Sequence, residues 1–379
     1  MSDESRVVVF SQRSAAHRVW HASQYEFEDV IAATDDVTLI TPVTLDDSEV
    51  RQLARAGSNR LRGALGRHPV SGLQRTVVPA ESELFFAIFA TAPELAHLPR
   101  LTGWQRGSGK KVAFLVELWT TQIDRYRHHL ELLKDFDHIF LFSREALPAL
   151  REITGVPCSY LATASDALRF APARPAPPRV ADVYSYGRRV EQTHQSLLRE
   201  FEQGRLLYVY QTADGPFPIT EYREHRLLLA GMLQRSRYTV VYRNNANADR
   251  ARMTGGEDSL TNRYFEALAA GAVVLGSAPE TDDFRQCFDW PDAVVEIGDV
   301  PVDELIRALD ADEDRLARLR ATSIEQSLRR HDWAHRWQDV LDVAGLRGQP
   351  ALHERLHALQ HAADLVQLPL PATGPGTAG

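Results

Sequence analysis

Two Rossmann-like α/β domains facing a cleft are the fold class this sequence predicts, and three observations predict it. At 379 residues the chain is too long for one ordinary core, so two domains are the default. Short apolar runs alternate with helical patterns in two separate series, as expected of parallel strands joined by right-handed crossovers. Between the series lies a proline-rich stretch that reads as an extended linker. The expected boundaries are an N-terminal domain over 1–170, a linker over 171–180 and a second domain over 181–330. Closing helices over 331–366 and a disordered tail of small residues over 367–379 complete the chain.

In the first series, Val7 to Phe10 reads as a strand, Trp20 to Ala33 as an amphipathic helix, and Val37 to Ile40 as a second strand. Val50 to Leu65 is a basic helix bearing Arg51, Arg55, Arg60 and Arg62. Strands follow at Leu84 to Phe89, Val112 to Val116, His138 to Phe142 and Ser159 to Ala162, with a helix over Glu145 to Ile153. The second series places strands at Val183 to Tyr186, Leu206 to Tyr210, Thr239 to Tyr242, Ala272 to Leu275 and Ala293 to Ile297. Helices cover Gln192 to Phe201, Tyr222 to Gln234, Thr261 to Ala270 and Val302 to Leu309. Asp312 to about Leu346, and then Ala351 to Val366, close the chain as helices.

Composition narrows the function classes. Apolar residues at 44% and charged residues at 25% describe a soluble globular chain. A net charge of −8 argues against non-specific nucleic-acid binding through phosphates. The only cysteines, Cys158 and Cys287, have no metal spacing and suit a reducing compartment. The first apolar run is too short and too acidic in its flank for a signal peptide, and no segment approaches the ~20 apolar residues of a membrane-spanning helix. The expected location is cytoplasmic. The Asp-Asp pairs at 35–36, 46–47 and 282–283 fall in turns or at helix starts, where aspartate caps, so no metal site is expected.

The most informative stretch runs from Gly255 through Ser277. Gly255, Gly256 and Ser259 make a loop with free backbone donors, Thr261 to Ala270 a short helix, and Gly271 its stop. A polar loop feeding a helix N-terminus suits an anion, because unpaired N–H groups and the helix dipole both favour negative charge. Glu266 lies too far into the helix to cap it and is placed to accept hydrogen bonds from a diol.

The string from Asp258 to Glu266, followed by Ala267 to Gly271, resembles the nucleotide-sugar signature of retaining GT-B glycosyltransferases with two acids seven positions apart. That resemblance implies transfer of a sugar, hexosyltransferase-type, from a nucleoside diphosphate to an acceptor hydroxyl. It implies that Glu266 holds the donor ribose and that an upstream acid contacts the sugar. Asp258 has the family's spacing and Glu257 its residue type, and both stand as candidates. Ser259, Leu260 and Thr261 would line the diphosphate. Gly187-Arg188, at the end of the second domain's first strand, resembles the family's Gly-Arg element, in which arginine neutralises the diphosphate. The lysine usually found about six residues later is replaced here by His194, with Arg189 or Arg199 as possible substitutes. Arg243 is a further donor contact, beside the loop-forming Asn244 to Asn247. A stretch from Asp166 to Pro172 resembles the segment that precedes the family's interdomain linker. His331 to Trp337 resembles the tryptophan-bearing helix that crosses back onto the first domain.

The first domain would hold an acceptor carbohydrate, lipid or small molecule. Ligands of open α/β sheets bind at the carboxyl ends of strands. That rule selects Ser11, Gln12 and Arg13 after the first strand, Thr91 and Glu94 after the third, and Glu117 with Thr120 after the fourth. Glu117 interrupts an apolar run. It is either an acceptor-orienting residue or base, or an ion-pair partner of Arg125 or Arg127. The catalytic candidates are therefore Glu117 and Asp258. No cofactor is expected beyond the donor substrate. Two other functions share this layout: a nucleotide-sugar enzyme of the 2-epimerase type, and a non-catalytic protein that binds nucleotide sugars.

Overall fold

In a computed structural model the chain is described over residues 5–41, 43–44, 49–67, 70–79, 81–212, 217–246 and 248–366. The tail over 367–379, Asn247 and the Asp46–Asp47 pair lie outside these residues.

Two parallel sheets carry the architecture. The first has six strands in the spatial order Val37–Ile40, Val7–Phe10, Ser82–Thr91, Ser108–Glu117, His138–Leu141 and Cys158–Tyr160. The second has five, in the order Tyr208–Tyr210, Ala181–Ser185, Ser236–Val241, Val273–Gly276 and Val295–Glu296. In both sheets the chain steps outward from the first strand to the second, then returns to the other side of the first. The strand order reverses there, and a crevice opens at the carboxyl ends of the two diverging strands.

Several elements differ from the sequence reading. The third and fourth strands are longer than expected because their flanking Ser82, Thr91, Ser108 and Lys110 continue the ladder. The helix expected from Trp20 begins at Ala22, after a 3-10 turn over Val19–His21. The closing helices expected over Asp312 to about Leu346 are Glu313–Arg330 and Trp333–Ala344, divided where the Asp332 carboxylate accepts from the Ala334 N–H and starts a new helix. A 3-10 helix over Ala92–Arg100 and the helices Ala248–Thr254 and Asp282–Cys287 were not anticipated. Each is short, and none carries a long apolar period for a sequence reading to detect.

The helix Trp333–Ala344 packs on the first sheet's side of the molecule. Trp333 stacks on Phe27 with ring centroids 4.6 Å apart, and Trp337 meets Phe86 at 5.6 Å. Their indole N–H groups donate to Glu26 and Asp35 at 3.1 Å each, so both rings are buried without an orphaned donor. Asp166 caps the four-residue helix Ala167–Phe170, and Arg355 of the last helix bonds both Asp166 and Asp332. The two sheets are thus tied together behind the cleft by the closing helices. No helix among the described residues is long and apolar enough to cross a membrane.

Candidate functional site

The second sheet's switch point lies between Ala181–Ser185 and Ser236–Val241. The loops that leave it are Tyr186–Gly187–Arg188 and Tyr242–Arg243–Asn244. Gly187 has φ +70°, a left-handed conformation that suits glycine in this turn, and it lies against the Arg263 side chain. Arg263, from the first turn of the helix Asn262–Ala269, is buried and donates to the carbonyls of Arg188 at 3.0 Å and Tyr242 at 3.4 Å. It therefore clamps the two switch-point loops together. No carboxylate pairs with it among the described residues, and desolvation holds its pKa below the ordinary arginine range.

Arg188 faces the cleft. Its guanidinium has no ion pair and no hydrogen bond among the described residues. Its charge is disfavoured first by desolvation and then by Arg263 and Arg250, with Glu117 acting the other way. Two guanidinium groups at one switch point, lacking a carboxylate partner, make a site whose charge an anion would complement. Sequence reasoning missed Arg263. A signal was available: a cation in a helix's first turn opposes the helix dipole, so its presence calls for a local reason.

Gly255 and Gly256, both left-handed at φ +68° and +86°, turn the chain into the signature loop. Asp258 Oδ1 accepts from the N–H groups of Asn244 at 2.9 Å and Ser259 at 3.0 Å, while Oδ2 is buried and has no partner. Burial, more than these bonds, decides its titration and pushes the carboxyl up. Ser259 Oγ accepts from the Asn244 amide at 3.2 Å, and the Leu260 side chain lies in the core. Thr261 starts the helix in an extended conformation, but its hydroxyl makes no capping bond and is a second buried atom without a partner. Arg243 bonds Glu280 at 3.0 Å.

The two upstream acids have different surroundings. Glu257 accepts from the Thr120 N–H at 3.2 Å and from the Thr120 hydroxyl, so it reaches across to the first sheet's side of the cleft. Asp258 stays on the second sheet's side, bonded to Ser259 and to Asn244 of the switch-point loop. Glu266 is buried, bonded to Arg226 and accepting from the Tyr186 hydroxyl at 3.0 Å. Arg226 in turn forks onto Glu26 of the helix Ala22–Thr34, with bonds of 2.8 and 3.1 Å.

Across the cleft, Glu117 accepts from the Trp119 indole at 2.6 Å and from Arg250 at 2.9 Å. Its ion-pair partner is thus Arg250 of the facing helix, whereas Arg127 lies near Asp124. Ser11 donates to Glu28 at 2.6 Å. Arg13 bonds Glu28 at 2.6 Å, Asp29 at 2.9 Å and, from the other half of the molecule, the Tyr222 hydroxyl at 2.6 Å. Burial pushes the Glu28 carboxyl up to about 7 against the opposing pull of Arg13 and Ser11. Thr91 precedes the 3-10 helix over Ala92–Arg100, whose Glu94 bonds His21 at 2.9 Å and whose His97 meets Gln12 at 2.6 Å. His97 was absent from the sequence candidates because its short helix was unrecognised. His194 is buried against Tyr208, 2.8 Å from its hydroxyl, and Arg189 bonds the Gln211 carbonyl. Arg199 lies in the last turn of the helix Glu191–Glu202. Among the described residues no group of three or more His, Cys, Asp or Glu is placed to hold a metal.

A family model described as glycosyl transferase-like matches residues 196–342, a span holding Arg226, Arg250, Asp258, Arg263 and Glu266. No curated protein matches the chain. Among solved structures, an α-glucosyltransferase in complex with UDP and a 13-mer DNA containing an HMU base superposes with a TM-score of 0.52. It is 12% identical, over 90% of this chain and 100% of that one. An α,α-trehalose-phosphate synthase (UDP-forming) from Burkholderia vietnamiensis gives a TM-score of 0.52 at 14% identity, over 93% and 99%. Likeness at these identities is likeness of fold. The chain has the mixed α/β, two-sheet architecture of GT-B glycosyltransferase structures.

Proposed function

We propose that the protein is a glycosyltransferase that moves a sugar from a nucleoside diphosphate to an acceptor hydroxyl, with retention at the transferred carbon. The observation that carries this reading is the pair of guanidinium groups, Arg188 and Arg263, set without a carboxylate partner at the second sheet's switch point. A diphosphate supplies the charge they lack, and the adjacent N-terminus of the helix Asn262–Ala269 adds backbone donors. As the bond between the sugar carbon and the phosphate oxygen breaks, charge grows on that oxygen, where these cations stabilise it. Asp258, with its partnerless oxygen, is assigned to the transferred sugar, and Glu266 to the ribose. Glu117 orients the acceptor hydroxyl from the opposite wall of the cleft.

A second reading has one observation in its favour. Glu117 and Glu257 are both engaged in bonds that span the cleft, which suits a protein that closes on a nucleotide sugar without turning it over. Thermal shift against UDP-, GDP- and ADP-sugars tests the common core of both readings. A bound donor stabilises by about 2.7 kcal/mol at a hundredfold excess over its Kd. If no nucleoside diphosphate shifts the transition, the donor-site assignment fails. Product analysis then separates the readings: free nucleotide that depends on an added acceptor means transfer, whereas release from donor alone means hydrolysis or epimerase-type chemistry. Tight binding with no turnover means a binding protein.

A further inference from the structure

The helix Glu49–Ala64 is inside out. Counting ~100° per residue, Leu53, Gly57, Leu61 and Ala64 share one face, joined by Leu65 just beyond the end. An amphipathic helix of a globular protein turns such a face inward. Here Leu53 is 73% exposed, Leu61 65% and Leu65 62%. The polar side faces the protein instead. Asn59 exchanges two bonds with the backbone of Val70, at 2.8 and 3.0 Å, while Arg55 and Arg62 are half-buried. Three leucines left in water each forgo about 1.5–3 kcal/mol of burial, a cost that calls for a partner on that face.

The charge around the leucines identifies the partner's chemistry. Residues 49–67 contain five arginines, at positions 51, 55, 60, 62 and 67, against one acid, Glu49, in a chain whose net charge is −8. Arg51 and Arg60 are exposed on this helix, and Arg67 is exposed just after its end. A second copy of this chain packed face to face would oppose the same arginine-rich surface across a two-fold axis, which disfavours it. A nucleic-acid backbone would reward the arginines but leave the leucines unburied. A bilayer carrying anionic headgroups satisfies both at once, with leucines in the acyl boundary and guanidinium groups among the phosphates. We propose that this helix docks the protein in the plane of an anionic membrane surface. The proposal stands apart from the donor-site reading and survives its failure.

Flotation of the full chain with phosphatidylcholine vesicles, with and without one-third phosphatidylglycerol, tests it. The expected result is binding to the anionic vesicles that weakens as salt rises. Combining Leu53→Ser, Leu61→Ser and Leu65→Ser lowers the partition coefficient by about tenfold or more per leucine. These side chains are exposed, so an unchanged melting temperature shows that the variant is folded. Combining Arg60→Gln with Arg67→Gln lowers anionic binding by about fivefold per arginine and leaves binding to neutral vesicles as it was. Three outcomes overturn the proposal. One is no flotation with anionic vesicles. Another is a dimer in light scattering that the leucine variant dissociates. The third is binding to a DNA duplex that the arginine variant abolishes and the leucine variant leaves intact.

Discussion

Replacing Arg226 by methionine isolates the electrostatic link between the two halves of the molecule. The guanidinium is 3% exposed and lies between Glu26, 0% exposed, and Glu266, 5% exposed. Desolvation works against its charge, but the two carboxylates outweigh it and hold its pKa above the ordinary arginine range. Glu26 also accepts from the Asp166 N–H at 2.8 Å, the Trp333 indole at 3.1 Å and Arg169 at 3.2 Å. The segment before the linker, the crossing helix and the second sheet's helices therefore converge on one carboxylate. Methionine fills most of the volume beside Phe170, so the main loss is charge compensation for two buried acids. Breaking such an arrangement by removing one partner costs about 3–5 kcal/mol. An unfolding entropy of about 2.1 cal/mol/K per residue gives roughly 0.8 kcal/mol/K for a chain of this length, so the melting temperature falls by about 4–6 °C. Differential scanning calorimetry reads this directly. The triple variant Glu26→Gln, Arg226→Met, Glu266→Gln removes the uncompensated charge and recovers most of the loss. A single-variant shift below about 1 °C, or a triple variant no better than the single, refutes the reasoning.

Three further predictions follow from local geometry. Arg188→Gln weakens nucleoside-diphosphate binding by about 1.5–3 kcal/mol, the worth of a charge-assisted hydrogen bond, and leaves stability nearly unchanged; isothermal titration calorimetry checks the first and thermal melting the second. Gly276→Ala is expected to cost about 3 kcal/mol or more in urea unfolding. The added Cβ would lie 1.8 Å from the Val241 carbonyl oxygen, a backbone atom of the neighbouring strand, where overpacking has no cheap relief. Glu28 binds its proton more tightly in the native state than in the unfolded chain, where it titrates near 4.5. Its contribution is fully present below about pH 4.5, declines as pH rises, and is gone above about pH 7. Glu28→Gln therefore flattens the stability profile between pH 5 and 8; a profile that keeps its slope in the variant counts against the assignment.

Much of the second half was legible because its information is local. The stop at Gly271, the apolar run after it and the glycine before Arg188 each act within a few residues, and the structure places a helix, a strand and a tight turn there. What was illegible is the partner of each charge. Glu117 was weighed against Arg125 and Arg127 because those lie nearby in sequence, yet its ion pair comes from Arg250, 133 positions away, on a helix that periodicity did not reveal. Arg226 meets Glu26 across 200 positions and Glu266 across 40. No spacing rule encodes such pairs; only the packing of two sheets against the closing helices brings them together.

The same contrast bears on how the cleft works. Its walls are joined by Glu117 with Arg250, Thr120 with Glu257, and Arg144 with Asp283. Each joins a residue at or just beyond the end of a strand of the first sheet to a loop or short helix of the second. Apart from the buried Asp283, the groups in these contacts are exposed or half-exposed, and exposed pairs of this kind are worth about 0–1 kcal/mol apiece. Breaking the buried Glu26–Arg226–Glu266 link behind them by removing one partner costs several times more. A molecule held strongly at its back and weakly at its mouth opens at the mouth. Substrate entry would then cost only the rim contacts, while the buried link keeps the Glu266 carboxylate in register with the first sheet's side of the cleft. With Glu266 as the proposed ribose ligand, Arg226, which bonds both Glu26 and Glu266, would be the buried route from the donor to the first sheet's side.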